Sequence, residues 1–126
     1  RSLIDVSMEK GMIVEVYINY DLMAIMDLDG RVQTYVYGPD WTTKGLETFG
    51  KVMITPNYIL AAYSGDDWAK GRTDKIHVFD LEGNYVKTLD VGYDILDCIY
   101  DKTHHRLFMI FNDEIQFGYL DLKGLI

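Results

Sequence analysis

The sequence predicts an all-β fold of about three four-stranded antiparallel blades, repeated along a chain of 126 residues. Three observations carry this expectation. A short phrase occurs three times, as Met26-Asp27-Leu28-Asp29-Gly30, Phe79-Asp80-Leu81-Glu82-Gly83 and Leu120-Asp121-Leu122-Lys123-Gly124, with its glycines 53 and then 41 residues apart. Apolar runs of strand length precede each phrase, and aromatic residues make up 13% of the chain, ten of them tyrosines, which suits pleated, half-buried strands. No window keeps an apolar stripe at helical spacing. A repeat of this length built from hairpins is the mark of a β-propeller blade. A two-sheet sandwich is the structural rival, but it does not require the same phrase at matching points.

The first unit, about residues 1–37, starts with a strand at Leu3–Ser7, turns at Glu9-Lys10-Gly11 and returns along Met12–Ile18. A turn near Asn19-Tyr20-Asp21 leads to Leu22–Leu28, and Asp29-Gly30 turns the chain into Val32–Tyr37. The second unit, about 51–91, repeats the plan with Lys51–Thr55, Tyr58–Tyr63, Lys75–Leu81 and Tyr85–Val91. The third, about 95–126, has strands at Ile95–Asp101, Arg106–Phe111 and Ile115–Leu122, with Leu125-Ile126 expected to begin a fourth. Glycine supplies the positive φ that a tight hairpin needs, which accounts for its place at the end of every copy. Asp27, Asp80 and Asp121 recur with it, and recurrence in every unit points to a structural task, accepting bonds from the amides of the following turn.

Composition narrows the function classes. The net charge is −8 and no Lys or Arg run exceeds one residue, so neither a phosphate backbone nor an anionic membrane surface is a natural partner. Carbohydrate, peptide or a basic protein patch remain. No apolar stretch approaches the roughly 18 residues that span a bilayer. Cys98 is the only cysteine and lies in an apolar run, so it reads as a small buried hydrophobe.

The stretch Lys75-Ile76-His77-Val78-Phe79-Asp80-Leu81-Glu82-Gly83-Asn84-Tyr85-Val86-Lys87-Thr88-Leu89 resembles the third and fourth strands of an NHL-type blade. The whole chain is similar to the six-bladed, TolB-like propellers found among secreted proteins and lipoproteins of gut Bacteroides. That resemblance implies an extracytoplasmic location, a longer full protein with a leader peptide and a lipidated cysteine, and no agreed catalytic residues. Propellers close with about four to eight blades, so three blades imply completion by the rest of a longer chain or by a second copy. Alone, this segment is expected to dimerise or aggregate.

In an up-and-down blade the first and third turns lie on one face of the ring. The middle turn and the connection between blades lie on the other. The two long segments, Gly38–Gly50 and Ser64–Asp74, both fall on that second face and hold both tryptophans. Long loops cost entropy and are kept more often where they have a use. The ligand-binding candidates are therefore Trp41, Asp66, Asp67, Trp68, Lys70 and Arg72, since aromatic platforms beside charged groups suit sugar rings or peptide side chains. Each Trp could equally cap its blade, and the paired aspartates could simply form turns.

The sequence implies no resident cofactor. Calcium is the one metal to weigh, with Asp94, Asp97, Asn57 and Asn112 near the presumed channel, as a lactonase-like hydrolase would need. His104-His105 reads as a solvated turn and His77 as an ordinary strand residue. No Gly-x-Ser-x-Gly elbow, phosphate loop or Cys-x-x-Cys is present. The sequence points to a non-enzymatic module that binds on its long-loop face, with the calcium hydrolase and a cell-surface scaffold as alternatives.

Overall fold

A computed structural model describes residues 1–65 and 71–126. Among the described residues there are eleven strands: β1 (Ser2–Ser7), β2 (Met12–Tyr17), β3 (Leu22–Asp27), β4 (Val32–Tyr37), β5 (Phe49–Ile54), β6 (Tyr58–Tyr63), β7 (Lys75–Asp80), β8 (Tyr85–Asp90), β9 (Ile95–Asp101), β10 (Arg106–Phe111) and β11 (Phe117–Asp121). They form three blade-like antiparallel meanders, β1-β2-β3-β4, β5-β6-β7-β8 and β9-β10-β11. The described residues thus form three sheets and not the two of a sandwich. No helix of the described residues is long and apolar enough to cross a membrane.

The repeated phrase works as a turn. Gly30, Gly83 and Gly124 have φ of 81°, 92° and 78°, a region that costs a side chain but not glycine. Asp27 Oδ1 accepts from the amides of Asp29 at 2.9 Å and Arg31 at 3.0 Å. Asp80 Oδ1 does the same for Glu82 and Asn84, and Asp121 Oδ1 accepts from Lys123. The register slips by a residue at Ile25/Met26 and at Val78/Phe79, the bulge that accompanies a turn ending in left-handed glycine. Asp101 repeats the device for Thr103 and His104, at a turn that does not carry the phrase.

Packing between sheets follows the two-residue period of the strands. On β2, Met12, Val14 and Val16 join Met23 and Ile25 in a cluster with Phe49, Val52, Ile59, Ala61, Tyr63 and Phe79 of the second sheet. The alternate residues of the second sheet, Met53, Leu60, Ala62, Ile76 and Val78, pack with Ile95, Cys98, Leu107, Met109 and Phe111 of the third. The middle sheet is therefore buried on both faces, which explains the unbroken apolar run Ile59-Leu60-Ala61-Ala62-Tyr63. Neighbouring sheets approach through their first strands, β5 against β1 and β2 on one side and against β9 on the other. The stack therefore fans outward from β1, β5 and β9.

Its two outer faces remain apolar. Ile4 on the first sheet is 61% exposed, and Ile99 and Phe117 on the third are 66% and 61% exposed.

Two local expectations are corrected. Leu125-Ile126 does not begin a strand: the amides of both residues bond back to the Leu122 carbonyl, closing a turn around Gly124. His105 Nε2 reaches the Ile126 carbonyl at 3.2 Å and Lys87 Nζ the Leu125 carbonyl at 2.6 Å, so the segment is held against the sheets. The fifth strand starts at Phe49, inside the segment read as a loop, because Phe49 pairs with Tyr63 before a bulge at Gly50.

Candidate ligand-binding cleft

Both long connections depart from the same end of the sheets and are held there by buried polar groups. Asp21, in the turn between β2 and β3, is 5% exposed. Its carbonyl accepts from the Gly38 amide at 2.8 Å and its Oδ2 from the Asp40 amide at 3.2 Å. A Cβ at Gly38 would overlap the Asp21 carboxylate, so this close approach requires glycine. The fully buried Thr48 Oγ1 lies 2.8–2.9 Å from the carbonyls of Tyr17, Ile18 and Tyr20. Its own carbonyl accepts from the Ser64 amide. The loops thus begin and end on fixed points.

Between the first and second sheets, beneath this loop end, lies a cleft of about 470 Å³. Val36, Tyr37, Gly38, Pro39, Asp40 and Asp21 form one wall, and Tyr63, His77, Phe79, Tyr85 and Thr88 the other. The alternation of β6, β7 and β8 places the second set on one sheet face, with Ala61 opposite His77 and His77 opposite Thr88. The rings are mutually braced. Tyr63 and His77 lie 4.1 Å apart and tilted, Phe49 and Tyr63 5.0 Å apart edge to face, and Phe79 and Tyr85 6.1 Å apart edge to face.

The polar groups form two sets. The Tyr63 hydroxyl bonds to the Asp21 carboxylate across the boundary between the sheets. Burial raises Asp21 above the usual carboxylate range, and the Asp40 amide and Tyr63 hydroxyl oppose that rise. Burial, with the Asp21 charge behind it, also raises the Tyr63 phenol. On the other side His77 Nδ1 is 2.8 Å from Thr88 Oγ1, which is 2.7 Å from the Tyr85 hydroxyl. Burial, helped by nearby Lys75, lowers His77 to about 4, so the ring is neutral at neutral pH.

The candidates read from the sequence distribute unevenly around this cleft. Trp41 is in the roof loop, its ring 4.9 Å from Tyr37, which lies 6.1 Å from Tyr35. These three rings make an exposed row along the rim beside the cleft. Arg72 is engaged elsewhere: its guanidinium reaches Asp113 at 2.8 Å, the Gly92 carbonyl at 3.1 Å and Asp74 at 3.8 Å. It ties the second long connection to the turns before β9 and after β10. Asp66, Asp67, Trp68 and Lys70 lie outside the described residues.

Of the set weighed for calcium, Asn112 donates its amide to the Asp94 carbonyl at 2.8 Å, and the two aspartates have other partners. Asp94 Oδ1 accepts from the Thr73 amide and Asp97 pairs with Lys51 at 2.9 Å. Among the described residues no three His, Cys, Asp or Glu side chains converge as metal ligands. His104 Nδ1 is 2.8 Å from Asp101 Oδ2 and His105 Nδ1 is 2.8 Å from the Tyr100 hydroxyl. The adjacent histidines therefore serve different local partners.

Sequence reasoning passed over Asp21, Tyr63, His77, Phe79, Tyr85 and Thr88. One signal was available: Tyr17, Tyr63 and Phe111 close the second strand of each sheet, an aromatic at a fixed place in the repeat. Comparison with protein-family models finds no matching family, and comparison with curated proteins finds no match.

Proposed function

We propose that the three sheets are blades of a β-propeller of the TolB-like, NHL-type kind, acting outside the cytoplasm as a non-enzymatic binding domain. The ligand sits on the long-loop face, in the cleft between the first and second blades. One observation carries this reading: an aromatic cleft of about 470 Å³ is roofed by the first long loop and holds a carboxylate that is 5% exposed. Small-molecule sites have this character, concave and largely apolar with a few placed polar groups. The fan of sheets about β1, β5 and β9 supports the propeller, because blades converge through their inner strands.

A ligand panel of monosaccharides, small amines and short peptides, followed by backbone amide NMR, tests the site. Binding should shift the amides of Tyr37, Gly38, Asp40, Tyr63 and His77. A panel in which every binder acts elsewhere overturns the assignment.

A further inference from the structure

We infer that the cleft between the first two sheets takes a cation on an apolar body, an ammonium or guanidinium group carried by an aromatic or aliphatic framework. The inference rests on the reading of that cleft as a ligand site and names the ligand class.

Charge is the first argument. Asp21 and Asp40 both line the cleft, and among the described residues no Lys or Arg does. Asp21 is 5% exposed and makes no ion pair among the described residues; its charge is met by a tyrosine hydroxyl and one amide. A desolvated carboxylate held only by neutral donors is stabilised further by a cation brought within a few ångströms. Lys75, on β7 with His77 and Phe79, has its Nζ 2.8 Å from Asp74 Oδ1. Among the described residues an anionic ligand would meet two carboxylates and no counter-charge.

The walls supply the second argument. Tyr63, Phe79 and Tyr85 present rings whose faces carry negative quadrupole density, which attracts a cation and packs against its apolar body. His77 is neutral at neutral pH, so it adds a ring and no repulsion. Neutral sugars would gain the ring contacts but leave the Asp21 charge unmet. The net charge of −8 also raises the local concentration of cations around the domain.

The experiment uses three probes on the full chain: benzylammonium, benzyl alcohol and methyl β-D-glucopyranoside. Each is titrated while the amides of Gly38, Asp40 and Tyr63 are followed by NMR. Benzylammonium should bind at least about tenfold more tightly than benzyl alcohol, weaken with added salt, and weaken roughly fivefold in Asp40→Asn. Asp40 is exposed and contacts Asp21 through its backbone, so this variant keeps the fold. Tyr85→Leu should weaken the same probe while leaving the Asp21 anchor intact. If the glucoside or the alcohol binds as tightly as the amine, or salt and Asp40→Asn leave the amine unchanged, the cationic class falls while the cleft survives as a site. If none of the probes moves these amides, both readings fall.

Discussion

The Tyr63 hydroxyl bonds to the Asp21 carboxylate, joining the last residue of β6 to the turn between β2 and β3 in the neighbouring sheet. The same carboxylate accepts the Asp40 amide. One buried charge therefore couples two sheets and the roof of the cleft. Tyr63→Phe removes one of its donors and should cost about 1–3 kcal/mol, the usual range for leaving a buried acceptor short of a partner. Urea unfolding of the variant checks this, and an unchanged midpoint would show that the bond carries no stability.

Asp21 and His77 make opposite contributions to the pH dependence of stability. Burial raises Asp21 in the native state, so the folded protein takes up that proton before the unfolded chain does. Acidification towards the usual carboxylate range therefore favours folding at this residue. His77 falls from 6.5 to about 4 on folding, so the unfolded chain binds its proton first. Its contribution is complete above pH 6.5 and is lost as pH falls through this window towards about 4. Thermal melts of His77→Phe should flatten the loss between those values relative to the parent. A parallel pair of curves would refute the assignment.

Cys98 is 3% exposed, with Sγ 3.8 Å from Met53 Sδ, and burial pushes its thiol up to about 12. Thiolate is the reactive form. The native protein should therefore resist a thiol reagent such as Ellman's, and concentrated guanidinium should release one reactive equivalent. Rapid labelling of the folded chain would show that the interface between the second and third sheets opens readily.

Gly30 and Gly83 occupy the same place in the repeat but not the same surroundings. Both have positive φ, yet a Cβ at Gly30 meets nothing within 4 Å, whereas at Gly83 it would lie 2.7 Å from Val36 Cγ2 and 3.0 Å from Ile25 Cδ1. Gly30→Ala should cost about 1–2 kcal/mol for the left-handed conformation alone. Gly83→Ala adds an overpacking cost of about 1–3 kcal/mol. Equal losses in equilibrium unfolding would mean that the second turn does not bear on the first sheet.

The outer apolar faces, carrying Ile4 on the first sheet and Ile99 and Phe117 on the third, should drive self-association of this chain. Light scattering should find a dimer or larger species that dissociates on dilution, and Phe117→Lys should shift it towards monomer. A parent chain that stays monomeric at high concentration would refute this.

Strand placement was legible because it depends on local chemistry. The alternation in Met12–Tyr17 and Arg106–Phe111, the Asp that bonds its own turn and the glycine at positive φ are all set within a few residues. Leu125-Ile126 shows where locality misleads: an apolar pair reads as a strand, but the bonds back to Leu122 turn it away. The cleft was not legible for the same reason. Asp21 and Tyr63 are 42 positions apart, and His77 reads as an ordinary strand residue until Tyr63 lies against it. By itself the sequence determined the repeat, its strands and turns, and the end of the sheets from which the long loops leave. Tertiary structure alone decided which side chains meet across the first two sheets. Burial and charge coupling depend on distance in space, and the hydrophobic period specifies only the face on which a residue sits.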